Sequence, residues 1–147
     1  MTKRNPPLTA ANVRYLLAIE ELDQNGTGVR CVQVAQALGI TKPSVHSMVD
    51  TMKELKLVEK SHYGVIHLTE RGRGLAKRYQ EYFSTLFRHF SLLLPEEQDA
   101  ASAAYVLLAE LPLGSIDTMC LRLRAGAQRD SEGRGGVLCQ IPHQASL

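Results

Sequence analysis

Residues 37–60 read ALGITKPSVHSMVDTMKELKLVEK, and few folds accommodate that string. An apolar helix end at Leu38 runs into Gly39, a residue that tolerates the left-handed conformation closing many helices. One residue later, Thr41 offers a hydroxyl to cap the next helix, and Pro43 falls in a first turn whose amides need no internal partner. Two helices joined by so short a glycine-containing turn make a helix-turn-helix. The spacing predicts the second of these helices over 42–57. Val45, Met48, Val49, Met52 and Leu55 form its inward stripe, with Lys42, Ser44, His46, Ser47, Lys53 and Glu54 mostly outside it.

The residues on either side extend the pattern. Leu57–Lys60, Ser61–Gly64 and Val65–Leu68 read as strand, turn and strand, a hairpin that turns the motif into a winged helix. Upstream, a first helix is expected from Thr9 to about Gln24, ended by Asn25-Gly26-Thr27-Gly28. A short strand Val29-Arg30-Cys31 and a second helix follow, the latter placing Val32, Ala35 and Leu38 inward. Downstream, Thr69 caps a long fourth helix in which Leu75, Tyr79, Tyr82, Phe83, Leu86, Phe87, Phe90 and Leu93 recur every three or four residues. Pro95-Glu96-Glu97 opens a fifth helix whose AASAAYVLLAEL is apolar nearly all round, so burial on several sides is expected. A short sixth helix is predicted from Ser115 to about Leu123.

Glycine and polar residues dominate from Ala125 onward, which predicts a mobile tail over 125–147. The expected fold is mainly α with a small β-wing. A winged helix-turn-helix domain covers 1–78, and a helical dimerisation domain covers 79–124, with its linking helix starting near 69. Helices four to six carry more apolar surface than a small wing domain can cover, so they are the dimerisation candidate.

Charge points to the partner. The chain's net +2 divides unevenly: residues 29–78 hold nine basic and four acidic groups, residues 79–147 five and eight. A basic middle segment followed by an acidic remainder predicts that only the middle meets a polyanion. The opening turn of an exposed helix fits the DNA major groove, with hydroxyls and amides at base edges and cations at phosphates. Thr41, Lys42, Pro43, Ser44, His46 and Ser47 occupy that turn. Lys53, Lys60 and Arg71, together with Lys56 and Arg73, are placed to hold the backbone, and the wing tip around Tyr63 to touch the adjacent minor groove. One winged helix covers too little DNA for strong specificity, so a homodimer on paired half-sites is expected. The alternative is a winged-helix protein-interaction module without specific DNA binding.

Other classes find little support. No apolar run reaches the ~18 residues of a membrane span, and MTKRNPP lacks a signal peptide's apolar stretch. Cys31, Cys120 and Cys139 are odd in number and show no paired spacing, which fits reduced thiols in a cytoplasmic protein. No enzyme signature is present, and the RGRG at 71–74 opens a helix instead of forming a phosphate-binding turn.

The order of elements, with NVRYLLAIEEL, VAQALGITKPSVHSMVDTMKELKLVEK, YGVIHLTERGRGLAKR and LLLPEEQ, resembles the iron- and manganese-dependent repressors related to the diphtheria toxin repressor and the manganese transport regulator. The resemblance covers about residues 9–123 and is most specific over 34–78. It implies a winged helix, a helical dimerisation domain, and Mn(II) or Fe(II) switching the dimer to its DNA-binding form. The barrel-like third domain of some members is not expected in 147 residues.

The family's metal-ligand positions match Arg14, Leu17, Phe83, Ala104, Leu107 and Leu108. None of these supplies the oxygen or imidazole donors such a dication needs, so no metal or other cofactor is predicted. Two consequences stay open. Apolar packing replaces the contacts metal supplies elsewhere, or the emptied site accepts a small apolar ligand.

Overall fold

The computed structural model describes residues 8–132. Helix α1 (Ala10–Leu22) begins where the Thr9 hydroxyl accepts the Asn12 amide at 3.1 Å. It buries Val13, Leu16, Leu17 and Ile19. Strand β1 (Val29–Arg30) leads directly into α2 (Cys31–Leu38), which ends on Gly39 at φ 65°. Because Cys31 opens the helix and does not end the strand, the inward face is Cys31, Val34 and Ala35. Val32, expected inside, is 44% exposed.

Helix α3 (Lys42–Glu54) buries Val45, Val49 and Met52, with Met48 and Leu55 partly covered, as its spacing predicts. It stops three residues before the expected end at 57. Lys56 takes the left-handed conformation at φ 59°. Its amide then reaches the Lys53 carbonyl at 2.9 Å, and the Leu57 amide reaches that of Met52 at 3.0 Å. These bonds satisfy the Met52 and Lys53 carbonyls near the helix end and turn the chain sharply. Leu57, released from the helix, is 1% exposed in the core.

Strands β2 (Val58–Lys60) and β3 (Val65–Leu68) form the hairpin of the wing, with Val58 opposite Leu68 and Lys60 opposite Ile66. β1 pairs on the other edge of β3, Val29 against Ile66, so the sheet has three antiparallel strands in the order β1-β3-β2. Ile66 sits under both edges with no exposure.

Helix α4 (Glu70–Leu93) is joined to the wing by a compact corner. The Thr69 hydroxyl donates to the Lys56 carbonyl at 2.7 Å and accepts the Gly72 amide at 3.0 Å, while the Thr69 amide donates to the Leu57 carbonyl at 3.0 Å. Gly72 packs on that same carbonyl so closely that a Cβ would collide with backbone. The strand β3 does precede the RGRG string, but its glycines lie inside α4 and one serves this packing, so no phosphate-binding turn forms.

Helices α5 (Glu97–Glu110) and α6 (Leu113–Glu132) pack against α4. A polar chain fastens α6: Arg78 Nε donates to the Tyr82 hydroxyl at 2.8 Å, which donates to Asp117 Oδ1 at 2.8 Å. One turn on, Arg124 Nε donates to the Thr85 hydroxyl at 3.1 Å. Burial of Cys120 pushes its thiol pKa up, keeping it a protonated core group.

Two expectations need correction here. α5 is less completely buried than expected: Ala100, Ala104 and Leu108 face the core and Tyr105 and Leu107 pack against it, whereas Val106 is 56% exposed. α6 does not end at Leu123 but continues to Glu132. Residues 125–132 are therefore helical, since Ala125, Ala127, Gln128 and Arg129 favour helix strongly enough to carry Gly126. Residues 133–147 of the expected tail lie outside the described residues. The buried side chains of the winged helix and of α4–α6 form one cluster, and α4 runs unbroken through the boundary expected at residue 78.

Candidate nucleic-acid interface

The first turn of α3 is set by its cap. Thr41 Oγ1 accepts the Ser44 amide at 3.4 Å and lies 2.8 Å from the Ser44 hydroxyl, so these two side chains hold each other at the helix entrance. Thr41, Lys42, Pro43, Ser44 and Ser47 are all exposed, and Lys53 is exposed nearer the helix end. With Val45, Val49 and Met52 inward, the outer surface of α3 is hydroxyl-rich and basic at its start. The helix dipole adds positive potential there. Such a surface can donate to base edges and to phosphate oxygens.

The wing places Tyr63 at its tip, 88% exposed. Arg71, in the first turn of α4, is also exposed. His46 is different from its neighbours. It is half-buried, with Nδ1 3.2 Å from Lys60 Nζ and 3.7 Å from Cys31 Sγ. The ammonium of Lys60 has only protons to give, so Nδ1 accepts, which requires an imidazole without a proton on that nitrogen. His46 therefore does not share the open face expected for it. It fastens α3 to β2 and to the start of α2, drawing Lys60 inward with it.

The positions matched to metal ligands lie on α1 (Arg14, Leu17), α4 (Phe83) and α5 (Ala104, Leu107, Leu108). They hold no ligand set. The Arg14 guanidinium lies over the Tyr105 ring, 4.6 Å from its centroid. On the aromatic side, Phe83 stacks on Tyr105 at 4.6 Å between centroids and on Phe87 at 5.6 Å. Leu17, Ala104 and Leu108 are buried, and Leu107 is packed against the core. Aliphatic, aromatic and guanidinium groups cannot donate to Mn(II) or Fe(II). The donor chemistry does not fit the metal. Among the described residues there is no group of three or more His, Cys, Asp or Glu able to hold an ion.

Tyr105, the centre of this stack, went unmarked in the sequence. Its signal is there in retrospect: it is the single aromatic in the alanine- and leucine-rich α5. Burial pushes its phenol pKa up, so the hydroxyl stays protonated.

Residues 11–62 match the IclR helix-turn-helix domain. That segment takes in α1, β1, α2, α3 and β2. Among solved structures, the hypothetical protein SSo2273 from Sulfolobus solfataricus aligns with a TM-score of 0.58 at 20% identity, over 86% of this chain and 91% of that one. The T. acidophilum IdeR aligns with a TM-score of 0.58 at 19% identity, over 76% of this chain and 53% of that one. The chain thus matches about half the length of that IdeR, and identities this low speak for the fold alone. None of the curated proteins compared with the chain matches it. The helix-turn-helix match and the winged-helix architecture together support a DNA-binding transcriptional regulator. No described helix is long and apolar enough to cross a membrane.

Proposed function

We propose that this protein is a cytoplasmic transcriptional regulator, a repressor in its simplest mode, that binds double-stranded DNA as a homodimer without a metal switch. The observation that carries the DNA-binding reading is the exposed first turn of α3 beside an exposed wing tip, within the segment that matches a helix-turn-helix domain. Thr41, Lys42, Pro43, Ser44 and Ser47 face base edges and nearby phosphates. Lys53 and Arg71 hold the backbone, with Tyr63 at the minor groove. His46 and Lys60 act together by fixing the angle between α3 and the wing. No step of this function is catalytic.

Dimerisation is assigned to α4–α6 because apolar side chains remain open there: Leu92 is 81% exposed, Leu93 77%, Val106 56% and Leu121 58%. The apolar cost of exposing such side chains is relieved when a second copy covers them. Metal independence rests on the Phe83–Tyr105–Arg14 stack, which holds α1, α4 and α5 together where the resembling repressors place a dication.

A titration of DNA fragments flanking the gene, at two salt concentrations, with excess chelator and then with added manganese, tests these points together. Specific binding that weakens with salt and ignores chelator is the expected result. Binding only with manganese overturns metal independence. Absence of specific binding in every condition favours the protein-interaction module, and Lys42→Ala with Ser47→Ala would then leave partner binding unchanged.

A further inference from the structure

A cleft of about 690 Å³ opens beside the aromatic stack, between α1, the α1–β1 turn, α2, α4 and α5. We propose that it binds a small organic carboxylate with a flat apolar body; the effect of that ligand on DNA rests on the regulator reading above. The volume lies within the range typical of small-molecule sites. Leu17, Leu38, Phe83 and Tyr105 supply the apolar wall, with Arg14 and Gln80 among the polar groups on its border.

Arg14 decides the sign of the ligand. The Arg14 carbon Cζ lies 4.6 Å from the Tyr105 centroid, and a guanidinium carries a fork of N–H donors that fits a carboxylate in a two-pronged bond. Among the described residues it makes no hydrogen bond or ion pair. Glu21 also lines the cleft, seven residues along α1 from Arg14. Two helical turns separate their backbones by roughly 10 Å, and both charges reach the Tyr105 phenol, so one cleft is bordered by a basic and an acidic group. Gln24 and Asn25 line it too, and they follow Glu21 in the chain. The ligand's carboxylate therefore belongs beside Arg14, its flat body along Phe83 and Leu38, and any hydrogen-bond donor it carries beside Glu21.

The placement gives such a ligand leverage. Ala37 and Leu38 close α2 one turn before α3, whereas Phe83 and Gln80 belong to the helix that carries the dimerisation surface. A molecule seated across both favours one spacing of the helix-turn-helix against α4 over others.

Calorimetric titration of the full chain with naphthoate, its neutral counterpart naphthamide and a naphthyl amine tests the site. Naphthoate should bind with Kd at or below about 1 mM, and naphthamide at least about tenfold more weakly. Arg14→Gln should weaken naphthoate by roughly tenfold, Ala18→Phe should block the cleft, and Arg122→Gln on α6 should change nothing. Circular dichroism checks the fold of each variant; because Arg14 is exposed, Arg14→Gln remains informative even if Ala18→Phe misfolds. Equal binding of acid and amide, tighter binding of the amine, an unaffected Arg14→Gln or no heat with naphthoate each overturn the proposal. DNA affinity measured with and without naphthoate is a separate arm. Loss of DNA binding in the unliganded protein removes the regulator reading and leaves the calorimetric result standing.

Discussion

The winged-helix half and the helical half solve the same problem in different ways. In the first, α2 and α3 each bury one stripe, α1 buries a broader face that includes Asn12, and a three-stranded sheet closes the edge. In the second, α5 buries Ala100, Ala104 and Leu108 and packs Tyr105 and Leu107 against the core, yet Leu92 and Leu93 on α4, Val106 on α5 and Leu121 on α6 stay open. The first half leaves scattered apolar side chains open, Leu22, Val32 and Tyr63. The second leaves apolar surface that a single chain does not cover. Amphipathic spacing therefore reports a helix's own fold reliably, whereas uniform apolarity reports that something else must cover it without saying what.

The corner joining the halves gives the sharpest way to break the comparison. Both glycines of RGRG lie in the first turns of α4, but only Gly72 is pressed on the Leu57 carbonyl; Gly74 has open space around it. Gly72→Ala should cost on the order of 3 kcal/mol, because rigid backbone must give way. Gly74→Ala should instead stabilise the helix by up to about 1 kcal/mol. Chemical denaturation of both variants reads the difference directly. Equal effects would mean that the wing is not docked on α4 as described.

Within the helical half, Tyr82→Phe removes the hydroxyl that links Arg78 to Asp117. The expected loss is about 1–2 kcal/mol, since the bonds involve charged groups and the ring is buried. If stability is unchanged, α6 is held by its apolar face alone. Thr41→Ala, in the winged half, should cost about 1 kcal/mol through loss of the α3 cap. It should also weaken DNA binding, since Lys42 and Ser44 depend on that turn for their position. A variant that loses stability but binds DNA with unchanged affinity would show that the start of α3 is not the contact surface.

Legibility followed the same division. The caps at Thr41 and Thr69 could be read because each is a local pairing of a hydroxyl with an amide three residues on; Thr9, expected inside the first helix, caps α1 in the same way. The inward stripe of α3 and the strands of the hairpin were equally local. What could not be read depends on partners distant in sequence. His46 meets Lys60 and Cys31 only after the wing folds back, and Tyr105 meets Arg14 only after α5 docks on α1. The length of α6 was missed for another reason: Gly126 and the composition after Ala125 look like a chain end, yet the helix is already propagating against α4. Lack of a metal ligand at Arg14, Leu17 and Phe83 was plain from residue types alone. What fills the space was not.

The smallest effect separates folding from function most cleanly. Lys56 holds a left-handed conformation at φ 59°, where side chains other than glycine are strained, and it closes α3 just before the wing. Replacing it with glycine removes a strain of about 1–2 kcal/mol but adds backbone entropy of about 0.5–1 kcal/mol to the unfolded chain. The net should be a stabilisation of roughly 0.5 kcal/mol. The same change deletes an exposed cation at the junction of α3 and the wing. If Lys56 neutralises a phosphate, Lys56→Gly should melt at a slightly higher temperature while binding DNA more weakly, with the salt dependence reduced by about one counterion. A positively charged residue would then be held in a strained conformation because the DNA-facing half needs its charge there. Higher stability with undiminished DNA affinity would instead place Lys56 outside the interface and confine the contact surface to α3, the wing tip and the start of α4.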